Sequence, residues 1–242
     1  MTEQPIAGRP LSGRLALVTG ASRGIGAATA EALGRAGAHV ILTARTAGGL
    51  EEVEERIHAA GGNATIAPLD MVEGDSIARL ASAIAGRWQA LDILVLNAAT
   101  LGSLAPVPAI DGKEFATVMT LNVLAQQTMI AAFDPLLRAS ASASVIGVTS
   151  SVAANARAYW GAYAASKAAL ETLLLTYADE VKAISNIRVA ILDPGATATR
   201  MRARAFPGED ATTLKQPSAA ADAILALAQD GFDTGTRVRV QG

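Results

Sequence analysis

Short runs of β-branched and apolar residues alternate along this chain with stretches of helical periodicity. The runs that predict strands lie at 14–19, 39–44, 64–69, 91–98, 144–149, 187–192 and 236–240. The helical stretches lie at roughly 24–36, 50–60, 74–87, 112–138, 158–184 and 217–229. Several strands are apolar on both faces, as in buried parallel sheets. The pattern predicts an α/β fold, a doubly wound parallel sheet of about seven strands with helices on both faces, which is a Rossmann-type three-layer arrangement.

No linker, repeat or low-complexity segment divides this pattern. Residues 1–12, "MTEQPIAGRPLS", are polar and contain two prolines, so we predict an N-terminal tail there and one dinucleotide-binding and catalytic domain over 13–242. The tail has no apolar segment typical of a secretory signal. A cytoplasmic location is therefore expected.

Composition narrows the classes of function. The net charge of −2 provides no basic surface for nucleic acid. The absence of cysteine excludes disulfides and thiolate metal sites, and two histidines, His39 and His58, are too few for a zinc site. We expect these histidines to be packing or surface residues. The uncharged run 115–133 is long enough to span a membrane, but its amide and hydroxyl side chains favour a helix buried within the protein.

A glycine-rich turn separates the first predicted strand from the first predicted helix. In "TGASRGIGAATA", Gly20 would end the strand in a tight turn, while Gly24 and Gly26 would let the backbone approach a pyrophosphate. The helix N-terminus would offer unpaired N–H groups to that phosphate. Glycines alone also suit a tight turn without a ligand, but their place between strand and helix favours a nucleotide site.

The end of the second strand indicates which nucleotide is bound. The strand ends "TART", with Ala44 where an NAD site would place a carboxylate and Arg45 next to it. A guanidinium can bind a 2′-phosphate, and Arg23 in the glycine turn could reach the same group. Each arginine alone could be a solvated surface charge. Together they favour NADP(H), with NAD the less favoured cofactor, and weigh against a methyltransferase.

Tyr163 and Lys167 are four residues apart on a predicted helix and therefore share a face. A free tyrosine with a pKa of about 10 is a poor base at neutral pH. A nearby ammonium favours the phenolate, so we expect Lys167 to lower the pKa of Tyr163 and make it a usable proton donor and acceptor.

Ser150 lies thirteen residues before Tyr163, just past a predicted strand, with Ser151 as the alternative. Taken with the glycine turn, these residues resemble the short-chain dehydrogenase/reductase family, from "LVTGASRGIG" to "TGTRVRV". The segments "RAYWGAYAASK" and "MRARAFPGED" resemble a bacterial subgroup of that family. The resemblance implies an NAD(P)-dependent oxidoreductase that interconverts a carbonyl and an alcohol by hydride transfer. A small-molecule substrate is expected, with no nucleic acid, membrane or metal partner.

The resemblance also implies residue roles. Tyr163 matches the catalytic acid/base, Lys167 the lysine that bonds the nicotinamide ribose, and Ser150 the serine that polarises the carbonyl. Asn122 matches an asparagine that holds a relay water, although a buried structural amide is the alternative. The residues implied around the cofactor are Gly20, Ser22, Arg23, Gly24, Ile25, Gly26, Arg45, Asp70, Met71, Asn97, Ala98, Tyr163, Lys167, Pro194, Gly195, Thr197 and Thr199. The chain departs from the family pattern in "LNAA" at 96–99, where NNAG is usual, and in Asp193.

Other interpretations stay open at the level of sequence. A 3-oxoacyl-[acyl-carrier-protein] reductase would have the same catalytic set, and a non-catalytic nucleotide-binding regulator could share the fold. Arg200, Arg202 and Arg204 could attract an anionic substrate or form a solvated helix face. The segments 112–138 and 158–184 are apolar on more than one face, and the resemblance makes them a symmetric interface of a homodimer or homotetramer.

Overall fold

The computed structural model describes residues 9–241, in which seven parallel strands form one sheet. The strands are β1 Leu15–Thr19, β2 His39–Ala44, β3 Asn63–Pro68, β4 Ile93–Leu96, β5 Ala143–Val148, β6 Ile187–Asp193 and β7 Thr236–Arg239. Their order across the sheet is β3-β2-β1-β4-β5-β6-β7, and every neighbouring pair is parallel. The predicted sheet of about seven parallel strands is confirmed.

In the described part of the chain, eight α-helices connect or follow the strands. They are α1 Gly24–Arg35, α2 Ala47–Ala59, α3 Ser76–Ala85, α4 Gly112–Met119, α5 Ala125–Ala139, α6 Gly161–Val181, α7 Arg200–Ala205 and α8 Pro217–Asp230. Side chains of α1, α2 and α8 pack in one core cluster, and those of α3, α5 and α6 in another. Within β1, Ala16 and Val18 belong to the first cluster, whereas Leu15 and Leu17 belong to the second. This period of two shows that both faces of the sheet are covered.

The strand order reverses at β1, which is flanked by β2 on one side and β4 on the other. After β3 the chain crosses the sheet and continues on the other side of β1. Connections on the two sides therefore diverge and leave a crevice at the carboxyl ends of the strands. Doubly wound sheets bind ligands at this point.

The predicted helix at 112–138 is continuous but irregular. Between α4 and α5, residues Thr120–Leu124 form a π-helical turn that contains Asn122. Such turns are rare and are frequent at functional sites. The whole helix Gly112–Ala139 is long and apolar enough to cross a membrane, and a third of its most apolar stretch is buried. In this fold it lies against the sheet, with Phe133 among the fully buried side chains.

Other boundaries differ from the sequence pattern. Helix α6 begins at Gly161 rather than 158, because Tyr159 has a positive φ of 73° and cannot continue a helix. The short helix α7 is absent from the predicted periodic stretches, although a helix face was one interpretation of Arg200, Arg202 and Arg204. Of the predicted tail at 1–12, residues 1–8 lie outside the described part of the chain, whereas Leu11 is buried in a core cluster and its N–H donates to Ala36 O. The folded body thus includes residues just before 13.

Candidate active site

The glycine turn between β1 and α1 has the conformation that its sequence requires. Gly20 and Gly24 have positive φ values of 66° and 57°, which L side chains rarely adopt. A Cβ at Gly26 would overlap the Gly20 carbonyl oxygen and lie 2.6 Å from Asn97 Nδ2. Asn97 Nδ2 also donates to Thr19 O at 2.8 Å, so it anchors the turn to β4. The lack of side chains at these glycines leaves the backbone of the turn accessible, as a phosphate-binding site requires.

A cleft of about 790 Å³ opens at the carboxyl ends of the strands. It brings together nearly all of the predicted site residues, namely Gly20, Ser22, Arg23, Gly24, Ile25, Arg45, Asp70, Met71, Asn97, Ala98, Ser150, Tyr163, Lys167, Pro194, Gly195, Thr197 and Thr199. Gly26 and Asn122 support the cleft without lining it. Within residues 9–241, no three His, Cys, Asp or Glu side chains gather as a metal site.

Arg23 and Arg45 are exposed and line the same cleft, together with Ala44 and Thr46. Arg23 lies in the glycine turn, and Arg45 directly follows β2. Neither guanidinium forms a salt bridge with another described residue. Both arginines are thus available to an anionic ligand. These residues fit a nucleotide with a phosphate on its adenosine ribose better than one with free hydroxyls.

Tyr163 and Lys167 lie on the first turns of α6 and are both buried. The Lys167 Nζ donates to Val148 O at 2.8 Å, and it lies 5.7 Å from the centroid of the Tyr163 ring. Ser150 lies just past the end of β5 and lines the cleft, whereas Ser151 does not. The geometry thus favours Ser150 over Ser151.

Burial has the largest effect on the pKa values of both Tyr163 and Lys167. The pKa of Tyr163 is raised, first because burial penalises the phenolate and second because the Asp193 carboxylate repels it. Burial also lowers the pKa of Lys167 to about 8, partly offset by Glu171. The prediction that Lys167 lowers the Tyr163 pKa is therefore wrong for the protein alone. A protonated phenol at neutral pH is, however, the state that a proton donor needs.

Asn122 is fully buried in the π-helical turn, and its amide is committed to the protein. Its Oδ1 accepts from Thr100 N, and its Nδ2 donates to Thr100 O and Ser166 Oγ, all at 2.8 to 2.9 Å. Ser166 Oγ in turn donates to Tyr163 O at 2.7 Å. The Asn122 side chain therefore ties the loop after β4 to the first turn of α6, which is the structural role that the sequence left as its alternative.

Several site residues were not predicted. An apolar cluster of Leu101, Val152 and Trp160 packs around Tyr163, and Thr149 and Glu171 form a buried pair behind Ser150. None of these residues belongs to a sequence motif that is associated with a particular reaction or ligand. The i,i+4 spacing of Lys167 and Glu171 was the one available sign, since it places Glu171 on the catalytic face of the helix.

His39 packs on Trp88 and His58 is exposed, and neither lines the cleft.

The fold and the cleft define a Rossmann-type protein with a dinucleotide site beside a Ser-Tyr-Lys set. The model of the short chain dehydrogenase family matches residues 14–210. The chain thus belongs to the short-chain dehydrogenase/reductase family and is an oxidoreductase of that type.

Individual relatives agree with this assignment. Uncharacterized oxidoreductase YciK of Escherichia coli (strain K12) is 39% identical over 211 residues, which cover 86% of this chain and 83% of the relative. A crystal structure of a short chain dehydrogenase from Shigella flexneri 2a str. 301, complexed with NADP, is 36% identical with a TM-score of 0.93 and covers 97% of this chain and 100% of that one. The rhamnolipids biosynthesis 3-oxoacyl-[acyl-carrier-protein] reductase of Pseudomonas aeruginosa is 40% identical over 199 residues, 79% of this chain and 75% of that protein. The bacterial subgroup expected from the sequence is the one that includes YciK.

Proposed function

We propose that this protein is an NADPH-dependent reductase of small-molecule carbonyl compounds, with Ser150, Tyr163 and Lys167 as its catalytic residues. The observation that carries the proposal is their convergence, with the glycine turn, on one cleft at the switch point of the sheet. Family membership alone would not identify the residues that carry out the reaction, because one fold hosts many functions.

Each catalytic side chain has a role that its position supports. The protonated Tyr163 hydroxyl donates a proton to the substrate oxygen as that oxygen gains charge. Ser150 donates a hydrogen bond to the same oxygen and fixes its direction. Lys167, held by Val148 O, supplies positive charge beside Tyr163 and a donor for the nicotinamide ribose. When bound, NADPH supplies the hydride, and the residues of the protein orient it.

The residues of the cleft support NADPH as the preferred cofactor. Ala44 leaves out the carboxylate that would repel a 2′-phosphate, and Arg45 and Arg23 offer guanidinium groups to it. The S. flexneri relative complexed with NADP supports the same choice. NAD is the less favoured cofactor, because the ribose hydroxyls would lack a carboxylate partner.

A second enzymatic function is supported by one relative. The P. aeruginosa protein is a 3-oxoacyl-[acyl-carrier-protein] reductase, so a 3-oxoacyl thioester belongs among the candidate substrates. A non-catalytic regulator is disfavoured, because such a protein would not need to keep Ser150, Tyr163 and Lys167 together. We also propose one domain over 13–242, on which the preceding residue Leu11 packs, together with a homo-oligomeric state and a cytoplasmic location.

The test is NADPH oxidation by purified protein across a panel of aldehydes, ketones and 3-oxoacyl thioesters. We expect turnover of at least one class, and a loss of about 10²-fold or more in Tyr163→Phe. Tight NADPH binding with no turnover across the panel would favour the regulator instead. Turnover confined to 3-oxoacyl thioesters would favour the second enzymatic function.

A further inference from the structure

The substrate end of the cleft has apolar walls. Leu101, Trp160 and Met201 line the cleft beside Tyr163, and Val152 and Phe206 pack against these residues without lining it. The Trp160 ring lies edge-on to Tyr163 with centroids 6.0 Å apart, and at 5.6 Å from Phe206. A carbonyl that reaches the Tyr163 hydroxyl would therefore place its substituents against hydrocarbon and aromatic surface.

Helix α7 runs along the cleft from the glycine turn to these apolar walls. At its start, the Thr199 side chain lies against Gly24. At its end, Ala205 and Phe206 pack with Trp160. Arg200 is consequently at the phosphate end of the helix and Arg204 at the substrate end.

The arginines of α7 are not equivalent. Arg202 is occupied by Glu209, with N–O distances of 2.6 and 2.5 Å, and stacks on Phe206 at 3.7 Å from its ring centroid. Arg204 lines the cleft, is exposed, and forms no salt bridge within the described chain. Among the described lining residues, the one carboxylate is Asp70, which follows β3 on the nucleotide side of the cleft. Arg204 is thus a cation without a salt-bridge partner among the described residues, whereas the Asp193 carboxylate, which acts on Tyr163, is paired with Arg239.

We infer that the carbonyl substrate is apolar next to its carbonyl group and ends in an anionic group that Arg204 binds. This inference rests on the proposed reductase function. Each methylene buried against the apolar walls should raise kcat/KM about fourfold. A charge-assisted hydrogen bond to Arg204 should add about tenfold, screened by salt because the guanidinium is exposed.

The probes are two aldehyde acids, 4-formylbenzoate and 10-oxodecanoate, each compared with its neutral methyl ester. We expect at least one acid to exceed its ester about tenfold in kcat/KM. Arg204→Gln should abolish the preference, and Arg35→Gln, an exposed arginine outside the cleft, should leave it intact.

Esters equal to or better than both acids would overturn the inference, as would a preference that survives in Arg204→Gln. Reduction of the esters in either case would leave the proposed function standing. If neither acids, esters nor any other carbonyl were reduced, the proposed function itself would fail, and this inference with it.

A separate observation concerns two contacts that join α6 to the end of β5. Lys167 Nζ donates to Val148 O at 2.8 Å, and Thr149 Oγ1 donates to Glu171 Oε1 at 2.5 Å. Val148 and Thr149 directly precede Ser150, while α6 carries Tyr163. The two contacts therefore set the distance between the serine and the tyrosine.

Glu171 is a buried carboxylate for which the reaction itself has no use. Its second oxygen forms an ion pair with Arg237 of β7. Burying a carboxylate without a charged partner would destabilise the fold. The ion pair with Arg237 offsets this cost and so allows Glu171 to stay in contact with Thr149. The network spans three elements, β5, α6 and β7.

We propose that Glu171 is a positioning residue. By holding Thr149, it keeps the adjacent Ser150 at the correct distance and orientation relative to Tyr163. Glu171→Ala should lower kcat about tenfold or more, because small displacements of catalytic groups are costly. Thr149→Val, which removes only the hydroxyl, should do the same. Glu171→Gln keeps an acceptor for Thr149 and should recover most of the rate.

The measurement must distinguish a positioning role of Glu171 from a loss of folded protein. Rates are expressed per NADPH-binding site, and the KM for NADPH should stay within about twofold. Thr172→Val, an exposed threonine on the same helix, is the matched control and should be neutral. A wild-type kcat in Thr149→Val, or a loss in Glu171→Ala explained wholly by fewer binding sites, would overturn the proposal.

Discussion

At the scale of single residues, we expect cofactor choice to rest on Ala44, the last residue of β2, and on Arg45, which follows it. A charge-assisted hydrogen bond contributes roughly 1.5–3 kcal/mol, so NADPH should exceed NADH by about ten- to a hundredfold in kcat/KM. Added salt should weaken this preference, because Arg23 and Arg45 are exposed. The double change Ala44→Asp with Arg45→Ala should reverse it by adding repulsion and a ribose partner.

The measurement is kcat/KM for both cofactors on one carbonyl. Arg35→Ala, which changes an arginine outside the cleft, should keep the wild-type preference. A wild type that prefers NADH, or a double variant with unchanged preference, would show that the interpretation of Arg45 is wrong.

The pH dependence also belongs to single residues. Because burial lowers the pKa of Lys167 to about 8, its ammonium is present below that pH and lost above it. The pKa of Tyr163 is raised, so Tyr163 stays protonated through the same range. We expect kcat/KM for NADPH, which reports the free enzyme, to fall as pH rises through about 8.

Lys182→Gln changes an exposed lysine near the end of the same helix and should leave this profile unaltered. A flat profile between pH 7 and 9.5 in the wild type would contradict the assignment of the basic limb to Lys167.

At the scale of elements, Gly26 sets how closely α1 approaches the β1 turn. Gly26→Ala should lower the free energy of unfolding by about 1–3 kcal/mol, because its Cβ would overlap backbone that Asn97 holds in place. Gly48→Ala is the matched control, since a Cβ there meets nothing within 4 Å, and it should be neutral or stabilising. Denaturant unfolding measures both, and equal stabilities of the two variants would contradict this account.

The elements also show what the sequence could predict. All seven strands were placed within a few residues, because buried parallel strands are continuous apolar runs. The π-helical turn at Thr120–Leu124 and helix α7 are absent from the predicted elements. The π-helical turn is fixed by long-range contacts such as Asn122 with Thr100, which leave no periodic trace in the sequence. Helix α7 has six residues, too few to show a helical period.

The same contrast holds within the site. Ser150, Tyr163 and Lys167 could be predicted as site residues because their spacing and their positions in the fold are informative together. The burial of these side chains could not be predicted, so Lys167 was expected to lower the pKa of Tyr163, whereas burial and the Asp193 carboxylate raise it. Asp193 was noted only as a departure from the family pattern, and Glu171, four residues after Lys167 on the same helix, was not predicted. Trp160 and Leu101 were missed because an apolar wall looks like core in any sequence.

At the scale of the whole molecule, the long helix of α4 and α5 has more apolar surface than one chain buries. A third of its most apolar stretch is buried, and Leu124 and Phe115 remain exposed. We expect a homodimer or homotetramer at micromolar concentration, with Leu124→Lys shifting it toward smaller species. Sedimentation equilibrium tests this, and a monomeric mass for the wild type would contradict it.

The central claim is that Tyr163 donates the proton in an NADPH-dependent carbonyl reduction. The most direct measurement compares kcat/KM and the NADPH Kd of Tyr163→Phe with those of the wild type on one reducible carbonyl. The phenyl ring still fills its place among Trp160 and Leu101, so we expect NADPH Kd within a few-fold. The proton donor is gone, so kcat/KM should fall by about 10²–10⁴-fold. Retention of more than about a tenth of the wild-type rate, with NADPH still bound, would show that another group donates the proton.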